Sequence, residues 1–362
     1  MREIGVRALP HIERWQTSGR SLTVSQSKGT VSLVKDRAIP ASEQRKLLTH
    51  WTSIDWGQVK KRVRNLRQRI YRATQNGQWN RVRSLMKLML RSYSNLLLSV
   101  RRVTQDNQGK QTAGLDGQTA LTAEKRVQLV NRLQDHSLWQ VRPTKRVYIP
   151  KANGKLRPLG IPALENRVCQ TIVKNALEPH WEARFEGHSY GFRPGRSCHD
   201  AIEQCFRRLR RGGDSWILDA DLKSAFDKVD HRFLLDTIGP VPGRELIKQW
   251  LKAGYVEAEM FHATPEGTPQ GGPISPLLLN IALNGMEDLL LSFTTTRIYQ
   301  PSSKAKNQSP EKRALPTYGY CRYADDFVVT AKTKADIEAI VPILQAWLKP
   351  RGLALNMEKT QI

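Results

Sequence analysis

The chain has 362 residues, with 58 Lys and Arg against 33 acids, a formal charge of +25, and 39% apolar residues. That balance supports a buried core, excludes a disordered chain and leaves room for two or three structural units. The positive excess points to a polyanionic partner, nucleic acid first; no apolar run approaches a membrane span and no lipidation motif argues for a membrane partner.

Residues 1–52 are polar, rich in Ser, Thr and Gln, and read as a flexible leader without the apolar centre of a secretory signal. Residues 53–120 read as a basic helical extension. Val59, Val63, Leu66 and Ile70 keep the spacing of one helix face, while Lys60, Lys61, Arg62, Arg64, Arg67, Arg69 and Arg72 crowd the rest without an acid among them. A solvated face normally mixes both signs, so phosphate contacts explain this one better, with Lys61, Arg62 and Arg69 as the candidates. The spacing predicts a second helix after Gly77, with Val82, Met86, Met89, Tyr93, Leu96 and Val100 on one stripe, then a loop over 104–118 ending in the turn Asp116-Gly117. Residues 121–214 hold a strand at 147–149, a basic turn from Lys151 to Lys155, extended chain at 159–161 and a helix over 164–185. Residues 215–362 hold a strand at 216–221, an apolar helix at 277–291 and a flexible polar insertion at 294–316. They end in a hairpin at 318–331 and an amphipathic helix at 335–348. The cysteines at 169, 198, 205 and 321 form no Cys-x-x-Cys pair, and His199 beside Cys198 lacks further zinc ligands, so reduced thiols in a cytoplasmic protein are expected.

The sharpest chemical signal is Tyr323-Ala324-Asp325-Asp326 between apolar strands. Adjacent carboxylates in a tight turn repel one another, and a purely structural turn prefers Asn, Gly or one Asp. A pair makes sense when divalent cations neutralise it, as in nucleotidyl transfer, where one metal activates the attacking 3′-hydroxyl and another stabilises the leaving pyrophosphate. Hard oxygen ligands and phosphates favour Mg²⁺, with Mn²⁺ able to replace it. A third carboxylate must come from another strand, and Asp219-Ala-Asp221-Leu222 supplies two on one side of the chain. Alternation alone leaves Asp219 and Asp221 both open.

Asp221-Leu-Lys-Ser-Ala-Phe226-Asp227 resembles the palm motif of reverse transcriptases, and Tyr148-Ile-Pro-Lys151-Ala-Asn-Gly-Lys155-Leu-Arg157-Pro-Leu-Gly-Ile-Pro162 resembles their fingers motif. Ser189-Tyr-Gly-Phe-Arg193-Pro-Gly-Arg196-Ser197, Gly267-Thr-Pro-Gln270-Gly-Gly-Pro-Ile-Ser-Pro276 and Gly352-Leu-Ala-Leu-Asn-Met-Glu-Lys359-Thr360 continue the likeness in family order. Together with Thr112-Ala-Gly-Leu-Asp-Gly117 they resemble proteins of the group II intron branch, over about residues 55–362. The resemblance implies an α+β right hand of fingers and palm, with an antiparallel palm sheet backed by helices. It makes Asp221, Asp325 and Asp326, with the Leu222 backbone carbonyl, the ligands of two Mg²⁺ ions, and leaves Asp219 a supporting acid. It puts Lys151, Arg157 and Lys359 near nucleotide phosphates and Gln270 at the nascent base pair. Phe226 would lie under the sugar, excluding a 2′-hydroxyl, and Arg193 and Arg196 would lie by the template.

The function so implied is RNA-directed DNA synthesis on intron and template RNA from a DNA primer and dNTPs, in a cytoplasmic ribonucleoprotein and coupled to splicing and mobility. Two alternatives stay open: a CRISPR-associated reverse transcriptase of the same lineage, and a weakly catalytic maturase fragment that binds RNA. The family continues past the motif at 352–360 through further palm strands and a helical thumb, so a chain ending at Ile362 is expected to extend primers poorly and to leave a sheet edge open.

Overall fold

A computed structural model describes residues 47–362 except 137–138, 151–153, 155, 211–212, 269–270 and 300–310. The described residues open with a 3₁₀ turn at Trp51–Ser53 and helices α1 (Trp56–Gln75), α2 (Trp79–Arg91) and α3 (Tyr93–Arg101). Most of the expected leader lies outside the described residues. Its last part is docked: Trp51 is buried, and the Leu48 backbone exchanges two hydrogen bonds of 2.9 Å with the Asn131 side chain. Asp55 starts α1 by accepting from the Gln58 N–H, and Val59, Val63 and Ile70 are buried along the expected stripe.

The apolar stripe that predicts one helix over 82–100 is carried by two. Ser92 leaves helical geometry and caps α3 by accepting from the Asn95 N–H, so Tyr93 turns partly to solvent. Buried Asn95 makes the break tolerable, because its amide donates to the carbonyls of Met89 and Ile172. Residues 104–106, the start of the expected loop, belong to a π-helical continuation of α3 over Arg102–Asp106.

After α4 (Ala123–Leu133) come β1 (Thr144–Pro150), β2 (Leu156–Ile161), α5 (Leu164–Glu182) and α6 (Cys198–Leu209). Asp116 of the expected turn accepts from the Leu164 N–H and so starts α5. Next follow β3 (Trp216–Asp221), α7 (Ala225–Lys228), α8 (His231–Ile238), α9 (Arg244–Lys252), β4 (Tyr255–Glu257) and β5 (Met260–His262). The chain then runs through α10 (Ser275–Ala282), α11 (Met286–Leu291), β6 (Thr294–Tyr299), β7 (Glu311–Pro316), β8 (Gly319–Tyr323), β9 (Asp326–Ala331) and α12 (Lys334–Leu348). The single helix expected at 277–291 is α10 and α11, separated at Gly285, whose φ of +98° suits glycine and whose N–H donates to Glu186. The expected flexible insertion is bounded by an antiparallel ladder, Thr294 opposite Pro316 through Tyr299 opposite Glu311. Its threonines favour the strand that Pro and Lys content obscured.

Two sheets carry the architecture. One is mixed, in the order β2-β1-β4-β5, with β1 antiparallel to β2 and parallel to β4. The other is antiparallel, in the order β3-β9-β8, and α12 packs on β3 and β9 while α6 packs on β8. The outer edge of β3 is met at Asp219, which exchanges two backbone hydrogen bonds of 2.9 Å with Gln361. One continuous apolar core runs from Trp51 and α1 through α5 to α12 and Leu355. This is the α+β fold the motifs imply.

Candidate active site

The central strand β9 brings the carboxylates together. Its register sets Asp221 directly opposite Asp326, and Asp219 opposite Val328. Leu218 and Ala220 point into the core, which turns Asp219 and Asp221 outward. Alternation had left both aspartates open, and pairing places Asp221, rather than Asp219, against Asp326. On the other side of β9, Tyr323 lies opposite Asp326, and Ala324 turns the hairpin at φ +61°.

The two facing carboxyls share a hydrogen bond and respond in opposite directions. Burial, the bond to Asp221 and the charges of Asp325 and Asp221 push Asp326 up to about 6. Burial also acts to raise Asp221, but hydrogen bonds from Lys359, Asn356 and Asp326 outweigh it and hold that carboxyl below its ordinary value. The Lys359 ammonium donates to Asp221 Oδ2 at 2.7 Å and the Asn356 amide to the same oxygen at 3.1 Å. Among the described residues no three metal-ligating side chains converge on one point. Asp221 and Asp326 touch, and Asp325 stands beside them at the turn. A proton shared between crowded carboxylates, with a lysine drawn onto one of them, is the electrostatic arrangement a divalent cation would relieve, so these residues fit such an ion.

The other expected site residues divide. Phe226, on α7, is largely buried and meets the ring edge of Phe192 at 6.4 Å. The loop of the Gly267 motif lies against it: the Phe226 carbonyl accepts from the Thr268 N–H at 2.5 Å, and a Cβ on Gly267 would stand 2.5 Å from the Asp227 carbonyl oxygen. Leu222 follows Asp221 with its side chain buried. Arg157 is exposed on β2, opposite Ile149. Lys151 and Gln270 lie outside the described residues. Lys359, expected at nucleotide phosphates, sits on the Asp221 carboxylate.

Arg193, expected by the template, is buried. It donates to both carboxylate oxygens of Glu182 and to the carbonyls of Glu186 and Ser189, because a guanidinium in the core must satisfy its donors on protein. Arg196 keeps partial exposure, with one donor on the Gly187 carbonyl and its plane over Tyr190. On α1, Lys61, Arg62 and Arg69 are exposed with Lys60, Arg64 and Arg72. Arg67 departs from that set, since it pairs with Glu178 of α5 at 2.5 Å. Phe192 and Asn356 escaped the sequence reading as site residues. Asn356 lies inside the quoted motif at 352–360, where a neutral amide carries no charge signal of its own.

The chain matches the family model "Reverse transcriptase (RNA-dependent DNA polymerase)" over residues 149–362 and "N-terminal domain of reverse transcriptase" over 51–133. It is 41% identical over 309 residues to Protein YkfC of Escherichia coli, covering 78% of this chain and 80% of that protein. It is 33% identical over 305 residues to the group II intron-encoded protein LtrA of Lactococcus lactis, covering 71% of this chain and 50% of LtrA. It therefore spans about half the length of that relative. Among solved structures, a partial Cas6-RT-Cas1–Cas2 complex is similar at a TM-score of 0.38 and 19% identity, covering 73% of this chain and 42% of that one. That likeness is too slight to bear on lineage. With paired palm aspartates in register and both family models matched in chain order, the chain belongs to the reverse transcriptase family, with sequence homology to group II intron-encoded proteins.

Proposed function

We propose that this chain is the RNA-directed DNA polymerase of a group II intron, and that Asp221, Asp325 and Asp326, with the Leu222 carbonyl, are its metal ligands. The observation that carries this reading is the opposition of Asp221 and Asp326 across one ladder, with the Asp326 carboxyl pushed up to about 6 by its burial and its acidic neighbours. Two Mg²⁺ ions there would supply activation of the primer 3′-hydroxyl and stabilisation of pyrophosphate. The chain's own residues would do the rest. Phe226, backed by Phe192 and the Gly267-Thr268 loop, presents a ring where a 2′-hydroxyl would have to fit. Arg157 supplies positive charge from the mixed sheet for a triphosphate, and Lys151 and Gln270 belong to the same motifs. Lys359 covers the charge of Asp221. The exposed cations of α1 take intron or template RNA.

Primer extension on an RNA template with dNTPs tests the assignment. Asp221→Ala and Asp326→Asn are each expected to abolish nucleotide addition while leaving RNA affinity intact, because the α1 cations lie on another element. Near-normal extension by Asp221→Ala would return the role to Asp219. A second reading, an RNA-binding maturase fragment with little catalysis, draws on the cationic face of α1. Splicing assistance by Asp326→Asn without any extension by the unmodified chain would favour it.

A further inference from the structure

Behind the Tyr323-Ala324-Asp325-Asp326 turn lies a buried cation that the chemistry above does not use. Arg322 is 0% exposed. Its Nε donates to the Tyr320 hydroxyl at 2.9 Å, and its Nη1 donates to Asn280 Oδ1 at 2.9 Å and to the Ala324 carbonyl at 3.0 Å. Ala324 is the turn residue whose φ of +61° is costly for any side chain with a Cβ. Such a conformation persists only where its surroundings hold it.

Those surroundings come from three distant segments. Asn280 of α10 accepts from Arg322 and donates its own amide to the Gly191 carbonyl at 2.8 Å. Gly191 stands so close to the turn that a Cβ there would lie 2.3 Å from the Ala324 nitrogen. The Arg322 backbone is clamped by the same strap, donating to the His188 carbonyl at 2.9 Å and accepting from the Tyr190 N–H at 2.8 Å. Glu186 balances the guanidinium at 3.9 Å while its Oε1 accepts from the N–H groups of Gly285 and Glu287. Gly191 and Asn280, in or beside motifs expected at template and base pair, thus also brace the back of the carboxylate turn.

We infer that Arg322 is a positioning residue: through the Ala324 carbonyl it fixes the direction in which Asp325 and Asp326 face, with Asn280 and Gly191 closing the two sides of the turn. The inference rests on the reading of Asp221, Asp325 and Asp326 as cation ligands. A planar guanidinium can hold the Asn280 oxygen and the Ala324 carbonyl at a fixed angle, which a lysine ammonium cannot reproduce. A purely structural ion pair would instead change stability and leave the chemistry of the folded fraction alone.

Arg322→Lys keeps the charge and removes the fork. Gly191→Ala leaves every buried charge in place and presses directly on the turn, so it serves where the arginine variant fails to fold. Each variant of the full chain is compared with the unmodified chain and with Asp326→Asn. The measurements are thermal midpoint, primer–template affinity, Mn²⁺ binding followed by the spin-resonance signal of the free ion, and kcat and KM for dNTP. The expected result for folded Gly191→Ala is nucleic-acid affinity and KM within about threefold of the unmodified chain, with Mn²⁺ binding weakened about tenfold and kcat lowered on the order of 10²-fold. Unchanged Mn²⁺ binding and kcat in a folded variant would overturn the inference, as would losses that merely track the unfolded fraction. If Asp326→Asn also keeps Mn²⁺ binding and kcat, the cation-site reading has failed instead. If it loses both while Gly191→Ala keeps them, the positioning role alone has failed. Should the unmodified chain extend no primer, the Mn²⁺ titration decides between these outcomes by itself.

Discussion

Asp326 links protonation to cation binding at a single residue. Its folded carboxyl titrates at about 6, above its ordinary value of 3.8. The folded state therefore holds more protons than the unfolded state between those values, so this group's contribution to stability falls as pH rises through about 6. A divalent cation needs the ionised form and would reverse that loss. Mg²⁺ should accordingly raise the melting temperature more at pH 7.5 than at pH 5, and binding near pH 6 should release protons, measurable by calorimetry in buffers of different ionisation enthalpy. Equal Mg²⁺ effects at both pH values would argue against Asp326 as a ligand. Phe226 offers a second residue-level test. Phe226→Val should admit ribonucleotides while retaining deoxynucleotide addition, at a stability cost below the roughly 3–5 kcal/mol typical of Phe→Ala. Steady-state kinetics with both sugars checks it, and an unchanged preference would leave the ring a packing residue against Phe192.

At the scale of elements, α1 has two faces with separate tasks. Val59, Val63 and Ile70 seat it in the core, Arg67 ties it to α5 through Glu178, and Lys61, Arg62 and Arg69 face outward. Replacing those three by Gln should weaken RNA binding and flatten the log–log salt slope by about 2, at roughly 0.7 per single-strand phosphate contact. A loss of affinity at constant slope would mean the helix had been disturbed rather than discharged. The α1–α5 contact also carries a pH-sensitive group. Burial, aided by the neighbouring Arg184, lowers His180 to about 4, and its Nδ1 lies 3.0 Å from the Thr74 hydroxyl. A histidine kept neutral when folded contributes stability that is present above its ordinary value of 6.5 and is lost as pH falls through about 4. His180→Gln should flatten the decline in melting temperature over that window. An identical acid profile would assign the decline to other groups.

At the scale of the whole molecule, the core is continuous from the first helices to the antiparallel sheet. Unfolding of the described region should therefore be one cooperative event. Met86, in α2, is fully buried. Met86→Ala should cost about 2–5 kcal/mol and lower the urea midpoints of far-ultraviolet dichroism and tryptophan fluorescence together. Separate midpoints would show that the basic helices and the sheet with the aspartates melt independently.

Much of this protein was legible in its residues alone. The 3.6-residue stripe of α1, the alternation of β3 and the hairpin around Asp325-Asp326 follow from local periodicity, and the ordered motifs carried the family. Local pattern could not decide where a helix breaks when both halves keep one stripe. At Ser92 and Gly285 the decision lies with distant partners, Ile172 for buried Asn95 and Glu186 for the Gly285 N–H. Nor could alternation choose between Asp219 and Asp221, because both point the same way, and only cross-strand register set Asp221 against Asp326. The family resemblance implied a template contact for Arg193, yet its donors are taken by Glu182 and nearby carbonyls. The sequence by itself determined which residue types and local periods were available. The tertiary structure decided which of them meet, since hydrogen bonds, ion pairs and shared protons depend on distances between residues far apart in the chain.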